Sequence, residues 1–344
     1  MILPDSQGEG WKYSWFCMDH VGFTGDNPRR RDAGHHKIVD RYMKMVEQQN
    51  LGDIVQFHHH PVSLSGNYND SGTAFWGSSN LNDILTRKII DRGWFPSAFR
   101  PGFHTERPDS HWFLEQWIPF DYGNQSYEQT ISGQADMDEG RFGDWRHAPL
   151  EWKPYHPDYT DYQSKGTCKR WITRCLNMHA RIRELTIKEV ECAFQQAQRE
   201  DVILAFTDHD YKDMIFEIEK VRDMLRIISN QYPDVRFEYC DAVSAMRRCL
   251  QLSPEKLELE VHIERACNNY RLLVKAENGI FGQQPYLAIK SKEGNYYWDN
   301  LDFVDKNVWS YTFDENTLEI SKIEIVGVAA NNGYGEVKVI RIYM

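Results

Sequence analysis

Three consecutive histidines close a short run of strand-forming residues in the first quarter of the chain. Residues 54–57 favour a strand, and the run ends before Gly66. Because alternate side chains of a strand share a face, His58 and His60 point one way and His59 points the other. Two imidazoles on one face are a ready pair of metal ligands, whereas the alternative is a solvated, histidine-rich loop. The apolar run before the histidines favours the metal pair, which needs a third ligand from elsewhere in the chain.

Polar side chains also follow four other short apolar runs, at the points where those predicted strands end. In a parallel sheet or barrel, such strand ends converge on one face, where sites are built. A single polar residue at a strand end is more often a solvated or capping group, but the ordered set is a stronger signal. The strand-end residues are Asp19, His20, His58, His60, Arg100, Asp121 and His209.

The elements that must position these residues alternate between strands and helices as far as about residue 250. Helical spacing covers residues 35–49, 81–92 and 212–230, and a capping-box pattern at 186–189 opens another helix. This alternation predicts an α/β fold with a parallel sheet or barrel over residues 1–252. The run at 202–206 is apolar enough to be a central strand buried on both faces.

The hydrophobic periodicity of the sequence changes after Pro254, from alternating strand and helix patterns to strand patterns alone. Residues 257–264 alternate apolar and polar side chains, and short strands with turns between them continue to the end, without a helical pattern. We therefore expect residues 253–344 to form a separate, sandwich-like antiparallel β domain. A strand is also expected at 235–239, and the aromatic-rich stretch at 125–165 is expected to be an active-site loop or lid.

Composition limits the class of protein. The chain has 344 residues, 41% of them hydrophobic, which suffices for a large core. A formal net charge of −11 argues against nucleic acid as the main partner. Seven scattered cysteines without a CxxC indicate a reduced compartment rather than a disulfide framework. No signal peptide and no apolar run of about 18 residues is evident, so a cytoplasmic location without a transmembrane segment is expected.

The strand-end motifs resemble those of the polysaccharide deacetylase, or NodB-homology, carbohydrate esterases over roughly residues 11 to 245. The likeness comprises Asp19-His20, His58-His-His-Pro61, Phe99-Arg-Pro-Gly102 and His209, with Asp121 as a further match. It is greatest to an outlying branch associated with lipopolysaccharide and O-antigen gene clusters. Two departures are visible: Gln56 stands four residues before His60, where the family usually has its first histidine, and His20 stands where it usually has an aspartate.

The resemblance implies a distorted (β/α) barrel, one divalent metal, most often zinc, and removal of an acyl group from an acylated amino sugar. On that basis His20, His58 and His60 would be the metal ligands. Asp19 would be the general base, or a further ligand, and Arg100 would pair with it, with Asp121 behind. His209 would donate a proton to the leaving amine. The flanking acids, Asp208 and Asp210, could orient the His209 ring or be solvated, and solvated side chains are the expectation.

Two other functions remain open from the sequence. A catalytically inactive module that keeps the fold could bind a glycan or a partner protein, and it would not hold zinc tightly. A glycoside hydrolase could use Asp19 and Asp121 as its carboxylate pair, and its activity would survive a strong chelator.

Overall fold

A computed structural model describes most of the chain. The described residues are 3–18, 35–60, 75, 80–128, 143–179, 183–253 and 255–344, with the backbone alone at 35–37 and 80. The helices are α1 (His35–Gln49), α2 (Asn80–Arg92), α3 (Pro108–Trp117), α4 (Ile187–Ala197), α5 (Ile215–Gln231) and α6 (Ala242–Cys249). Asp19 and His20, two of the predicted site residues, lie outside the described residues.

A six-stranded parallel sheet in the order β1-β2-β3-β4-β5-β6 forms the centre of the first unit. The strands are β1 (Ser14–Met18), β2 (Ile54–His59), β3 (Ala98–Pro101), β4 (Phe120–Asn124), β5 (Trp171–Asn177) and β6 (Ala205–Thr207). Neighbours in space are neighbours in sequence, as expected for strands joined by crossover connections. The predicted α/β class with a parallel sheet is therefore confirmed.

The sheet is curled, and its inner face carries a continuous apolar cluster. Each of the six strands, or the residues next to it, contributes a side chain to this cluster, and α6 packs into it. The contributing strand residues are Phe16, Ile54, Ala98, Phe120, Tyr122, Cys175, Ile203 and Ala205. Phe16 of β1 and Tyr122 of β4 meet across the interior, with ring centroids 5.8 Å apart.

The two ends of the sheet approach each other without pairing in the part of the chain that the structure describes. Trp11, just before β1, packs on Phe206 of β6 with ring centroids 5.3 Å apart. Among the described strands of this sheet, each strand pairs only with the next one in the order from β1 to β6, and β6 forms no ladder with β1. The observed architecture is a strongly curled half-barrel, which is the coarser form of the expected distorted barrel.

Local capping signals in the first unit behave as the sequence predicts. Thr186 caps α4, its side chain accepting a hydrogen bond from the Glu189 amide, so the predicted helix start is confirmed. The Glu189 carboxylate accepts from Arg174 instead of closing the capping box. Asp241 caps α6 in the same way, accepting from the amides of Val243 and Ser244 at 2.9 and 3.0 Å.

Two strand predictions in this unit are wrong. The run at 202–206 was expected to be a central strand, but β6 has three half-buried residues and lies at the end of the sheet order. Val202, Leu204 and Phe206 pack on helices α4 and α5, whereas Ile203 and Ala205 face the inner cluster. Residues 235–239 form no ladder in the structure. They bond the N-terminal segment, where the Ser6 amide donates to the Phe237 carbonyl at 2.9 Å.

The second unit is an antiparallel β-sandwich. Its strands are β7 (Leu259–Ala266), β8 (Asn269–Ala276), β9 (Tyr286–Ser291), β10 (Tyr296–Asp299), β11 (Asp302–Asp305), β12 (Val308–Phe313), β13 (Ile323–Asn331) and β14 (Val337–Tyr343). The sheets have the orders β10-β9-β13-β14 and β11-β12-β8-β7. Leu272 and Val274 of one sheet share a core with Ile289 and Val326 of the other. Beyond residue 260, the only described helix is a single 3₁₀ turn at Ile320–Lys322.

The two units interleave along the chain. The first comprises Met1–Thr73, Ala98–Pro108 and Phe120–Leu252, and the second comprises Ala74–Ser97, Asp109–Pro119 and Ser253–Met344. The boundary at 252/253 matches the sequence division, but α2 and most of α3 belong with the sandwich. Tyr286 of β9 anchors α2, because its hydroxyl donates to the Asn82 carbonyl at 3.0 Å.

Two absences expected from the sequence can be checked directly. All seven cysteines are described and none of them forms a disulfide bond. No helix in the described part of the chain is long and apolar enough to cross a membrane.

Candidate metal centre

His58 and His60 converge at the carboxyl end of β2. Their Nε2 atoms lie 3.0 Å apart, and their rings meet edge to face with centroids at 4.8 Å. The Nδ1 atom of His58 lies 2.7 Å from the Arg100 carbonyl oxygen. Because a carbonyl only accepts, Nδ1 carries the proton and Nε2 keeps its lone pair for a ligand. His59 points to the other face, fully buried, with its ring stacked against Phe57.

The turn after β3 packs against the His60 ring and fixes its position. A Cβ at Gly102 would lie 2.5 Å from Cγ of His60, so only glycine permits this close packing. Phe103 then meets the His60 ring edge to face with centroids 4.7 Å apart. The Phe99-Arg-Pro-Gly102 motif therefore supplies both the carbonyl that orients His58 and the space that admits His60.

The geometry of the pair fits a tetrahedral metal. Two nitrogens bound at about 2.0–2.1 Å and at a tetrahedral angle are about 3.3 Å apart, close to the observed 3.0 Å. Burial, then the charges of His60 and Arg100, hold the pKa of His58 well below its usual value, which keeps the ring neutral as a ligand must be. Among the described residues, no group of three His, Cys, Asp or Glu side chains could hold a metal. The predicted third ligand, His20, lies outside them.

Arg100 is buried on the inner face of β3, two residues after Ala98. Its Nη2 atom lies 2.8 Å from Nε2 of His104, and the guanidinium interacts electrostatically with the Cys175 thiol. Its Nε atom has no hydrogen-bond partner among the described residues. The expected partner Asp19 is not described. Burial raises the pKa of Cys175 to about 11, so this thiol is protonated and is no nucleophile at neutral pH.

His209 follows β6 and lies close enough to His58 and His104 to lower the pKa of both. Desolvation by the surrounding protein, then the charge of Arg100, lowers the pKa of His209 itself to about 4. The residue is exposed to solvent, so water screens part of this effect. A ring that is neutral at pH 7 must first gain a proton before it can protonate a leaving amine.

Of the two acids beside His209, Asp208 is buried, contrary to expectation, whereas Asp210 is exposed as expected. The Asp208 side chain is 3% exposed and lies 3.2 Å from Nζ of Lys212. Its charge also interacts with Arg100. Asp210 accepts a hydrogen bond from the Tyr42 hydroxyl of α1. Burial of Asp208 next to a lysine was not visible in the sequence, because a turn with three polar residues is usually exposed.

Asp121 does not stand behind Arg100. It lies between Phe120 and Tyr122, which face the inner cluster, so its side chain points to the outer face of the sheet. There it ion-pairs with Arg170, which also binds Glu106 at 2.5 Å, and all three side chains are buried. Burial, then the charge of Glu106, raises the pKa of Asp121 well above its usual value. This carboxylate supports the fold and is not available as half of a glycosidase pair.

The aromatic-rich stretch at 125–165 covers this outer face where it is described. Trp145, Tyr155 and Tyr162 are buried in a cluster with Ile172 of β5. These three aromatic side chains are therefore core residues rather than part of a lid, and residues 129–142 of the stretch lie outside the described residues. Trp145 Nε1 also reaches the site by donating to the His104 carbonyl at 2.7 Å.

The structure thus brings four of the predicted residues together: His58, His60, Arg100 and His209. It adds His104 and Cys175, which the sequence reasoning missed. No protein-family model matches the chain, and no curated protein matches it.

Proposed function

We propose that this chain is a metal-dependent hydrolase that removes an N-acyl group from an amino sugar during the synthesis of a surface polysaccharide. The observation that carries the proposal is the convergence of the two Nε2 atoms of His58 and His60 at 3.0 Å, with His58 oriented by a backbone carbonyl. A ligand pair with one ring fixed from behind is typical of metal sites. The motif resemblance supplies the reaction and the substrate class.

A divalent ion, most favourably zinc, would be held by His58 and His60 with His20 as the third ligand, and would supply Lewis acidity toward an amide carbonyl and toward water. The protein groups around it divide the remaining work. Asp19 accepts the proton of the attacking water. Arg100, which is buried, pairs with Asp19 and holds its charge and orientation. His209, neutral at rest, takes up a proton and passes it to the departing nitrogen.

The proposal is tested first by metal content. Purified protein should carry about one divalent ion per chain, and the double variant His58→Ala/His60→Ala should carry almost none. His262→Ala is the matched control, because His262 is an exposed imidazole on β7 of the sandwich. Equal metal in all three proteins, with unfolding curves that show each is folded, would refute the site.

Activity is the second test. Wild type should release acetate from N-acetylated amino sugars or their oligosaccharides, and a strong chelator should abolish the release until zinc is restored. Release that is unaffected by the chelator would exclude this mechanism.

One observation favours a second candidate, a catalytically inactive module that binds a glycan or partner protein. The motifs depart from the family pattern at two positions: Gln56 stands four residues before His60, where the family usually has its first histidine, and His20 stands where it usually has an aspartate. This candidate predicts weak metal binding together with saturable binding of an amino-sugar oligosaccharide that is never deacylated, so the two experiments above separate it from the enzyme.

A further inference from the structure

The short segment from Gly102 to Glu106 holds an unusual backbone. Phe103 and His104 are consecutive non-glycine residues in the left-handed region, with φ of 51° and 52°. Such conformations persist only where the surrounding structure over-determines them, and they cluster at functional sites. The sequence does not predict this turn, because neither Phe103 nor His104 is a residue type, such as glycine or asparagine, that favours a left-handed backbone.

Several contacts hold His104 in this conformation. Its carbonyl accepts a hydrogen bond from Trp145 Nε1 at 2.7 Å. Gly143 packs so closely that a Cβ there would lie 1.9 Å from the same carbonyl oxygen. The Gly143 amide donates to the Phe103 carbonyl at 3.3 Å. Three groups from a distant part of the chain therefore fix the backbone of a two-residue turn.

The consequence of this turn is the direction of the His104 ring. Nε2 lies 2.8 Å from Nη2 of Arg100, and both residues are buried, at 5% and 6% exposure. The same Nη2 atom also lies 3.4 Å from Nδ1 of the ring. Because a guanidinium can only donate, one of the two ring nitrogens accepts, and an imidazole that accepts is neutral. Burial, then the charges of Arg100 and Arg183, lowers the pKa of His104 well below its usual value, in agreement with a neutral ring.

An imidazole beside Arg100 differs from a carboxylate in its effect on the charge of the guanidinium. A carboxylate in this place would orient the guanidinium too, but it would cancel most of its charge. A neutral acceptor orients Arg100 and leaves its positive charge available in the mouth of the curled sheet. Nε of Arg100, which has no hydrogen-bond partner among the described residues, keeps a donor for that purpose.

We infer that His104 is a positioning residue, which holds the Arg100 guanidinium in place as a neutral acceptor and so leaves its positive charge for the pair with Asp19. The inference rests on the proposed function insofar as Arg100 acts in the reaction. The hydrogen bond itself can be tested without any activity.

The test compares His104→Gln with His104→Leu. Oε1 of glutamine stands at the same distance along the side chain as Nε2, so it can accept from Arg100, whereas leucine fills the space without an acceptor. Neither residue favours the left-handed backbone, so the cost at φ of 52° is common to both and cancels. His104→Asn is the folding control, because asparagine tolerates this backbone and its acceptor is one atom shorter.

The readout is the ¹⁵N–¹H spectrum of the arginine side chains. Wild type should give resolved Nη proton signals of Arg100, assigned by their loss in Arg100→Lys, because a fixed hydrogen bond slows rotation and exchange. The Gln variant should retain them and the Leu variant should lose them. Identical spectra for Gln and Leu, or no resolved Arg100 signal in wild type, would overturn the inference and leave His104 as a space-filling residue.

Kinetics adds a second readout where wild type is active. The Leu variant should lose about 10²-fold in kcat with little change in KM, as for a misaligned catalytic group, and Gln should restore most of it. Equal loss in both variants would count against positioning. If wild type has no deacylase activity, the proposed function fails, while the spectra still decide whether His104 orients Arg100.

Discussion

Gly102→Ala tests the geometry of the candidate metal centre with a single methyl group. The new Cβ would lie 2.5 Å from Cγ, 2.6 Å from Cδ2 and 2.7 Å from Nδ1 of His60. Carbon atoms in ordinary contact are about 3.5–4.0 Å apart, so the ring must retreat by about 1 Å. The backbone of Gly102 is not left-handed, and alanine therefore brings no backbone strain of its own.

A retreat of that size separates the two Nε2 atoms beyond the spacing that a shared metal allows. We expect zinc affinity to fall about 10- to 100-fold, the usual effect of disturbing a group that supports a ligand. Tenfold corresponds to about 1.4 kcal/mol, so the loss of binding free energy is about 1.4–2.8 kcal/mol. Crowding against the ring should also lower the free energy of unfolding of the metal-free protein by about 1–3 kcal/mol.

The assays are competition for zinc against a chromophoric chelator and urea unfolding of the metal-free protein. Gly10→Ala is the matched control, since a Cβ there meets nothing within 4 Å, and it should leave both quantities close to wild type. In Gly102→Ala/His60→Ala the clash has no partner, so the stability cost of the alanine should largely disappear. Wild-type zinc affinity and stability in Gly102→Ala would refute the reasoning.

Three further predictions concern other parts of the first unit. Arg170→Leu leaves Glu106 and Asp121 buried without their cation and should cost about 3–5 kcal/mol in urea unfolding, whereas a loss under about 1 kcal/mol would contradict the ion-pair account. Because the folded-state pKa of His104 lies below that of the unfolded chain, the unfolded state takes up its proton first as the pH falls below about 6.5, and stability is lost with it. His104→Gln should therefore flatten the fall in unfolding free energy between pH 7.5 and 5.5 by at most about 1.4 kcal/mol per pH unit, and an unchanged slope would contradict a neutral, buried ring. His209→Ala should keep its metal and its fold while turnover falls roughly 10²–10⁴-fold; loss of metal would make His209 a ligand, and near-normal turnover would make 208–210 a polar turn.

The features that depend on local sequence pattern were predicted well: the faces of a strand, the span of a helix and a helix cap. Strand periodicity of two placed His58 and His60 on one face and His59 on the other, and the structure has this arrangement. Helix α1 spans the predicted residues, and the cap of α4 is the predicted threonine. These features depend on residues close in sequence, whose preferences act before any tertiary contact forms.

The partners of each side chain were decided only by tertiary structure. Asp121 and Arg100 both stand near strand ends, but the register of β4 turns Asp121 to the outer face, and a shift of one residue would have reversed it. The three groups that hold His104 belong to Gly143 and Trp145, in a segment some 40 residues later, so no local pattern marks it. The association of α2 with the sandwich likewise depends on contacts between residues far apart in sequence, such as Tyr286 and Asn82.

The sequence by itself therefore determined which residues could do chemistry and on which elements they stand. Tertiary packing decided which of them meet, because proximity depends on register, on sheet curl and on backbone conformations that long-range contacts impose. His58 and His60 belong to the first class and could be found from spacing alone. His104 belongs to the second, since its left-handed backbone is held by contacts with Gly143 and Trp145, which are about 40 residues away in sequence.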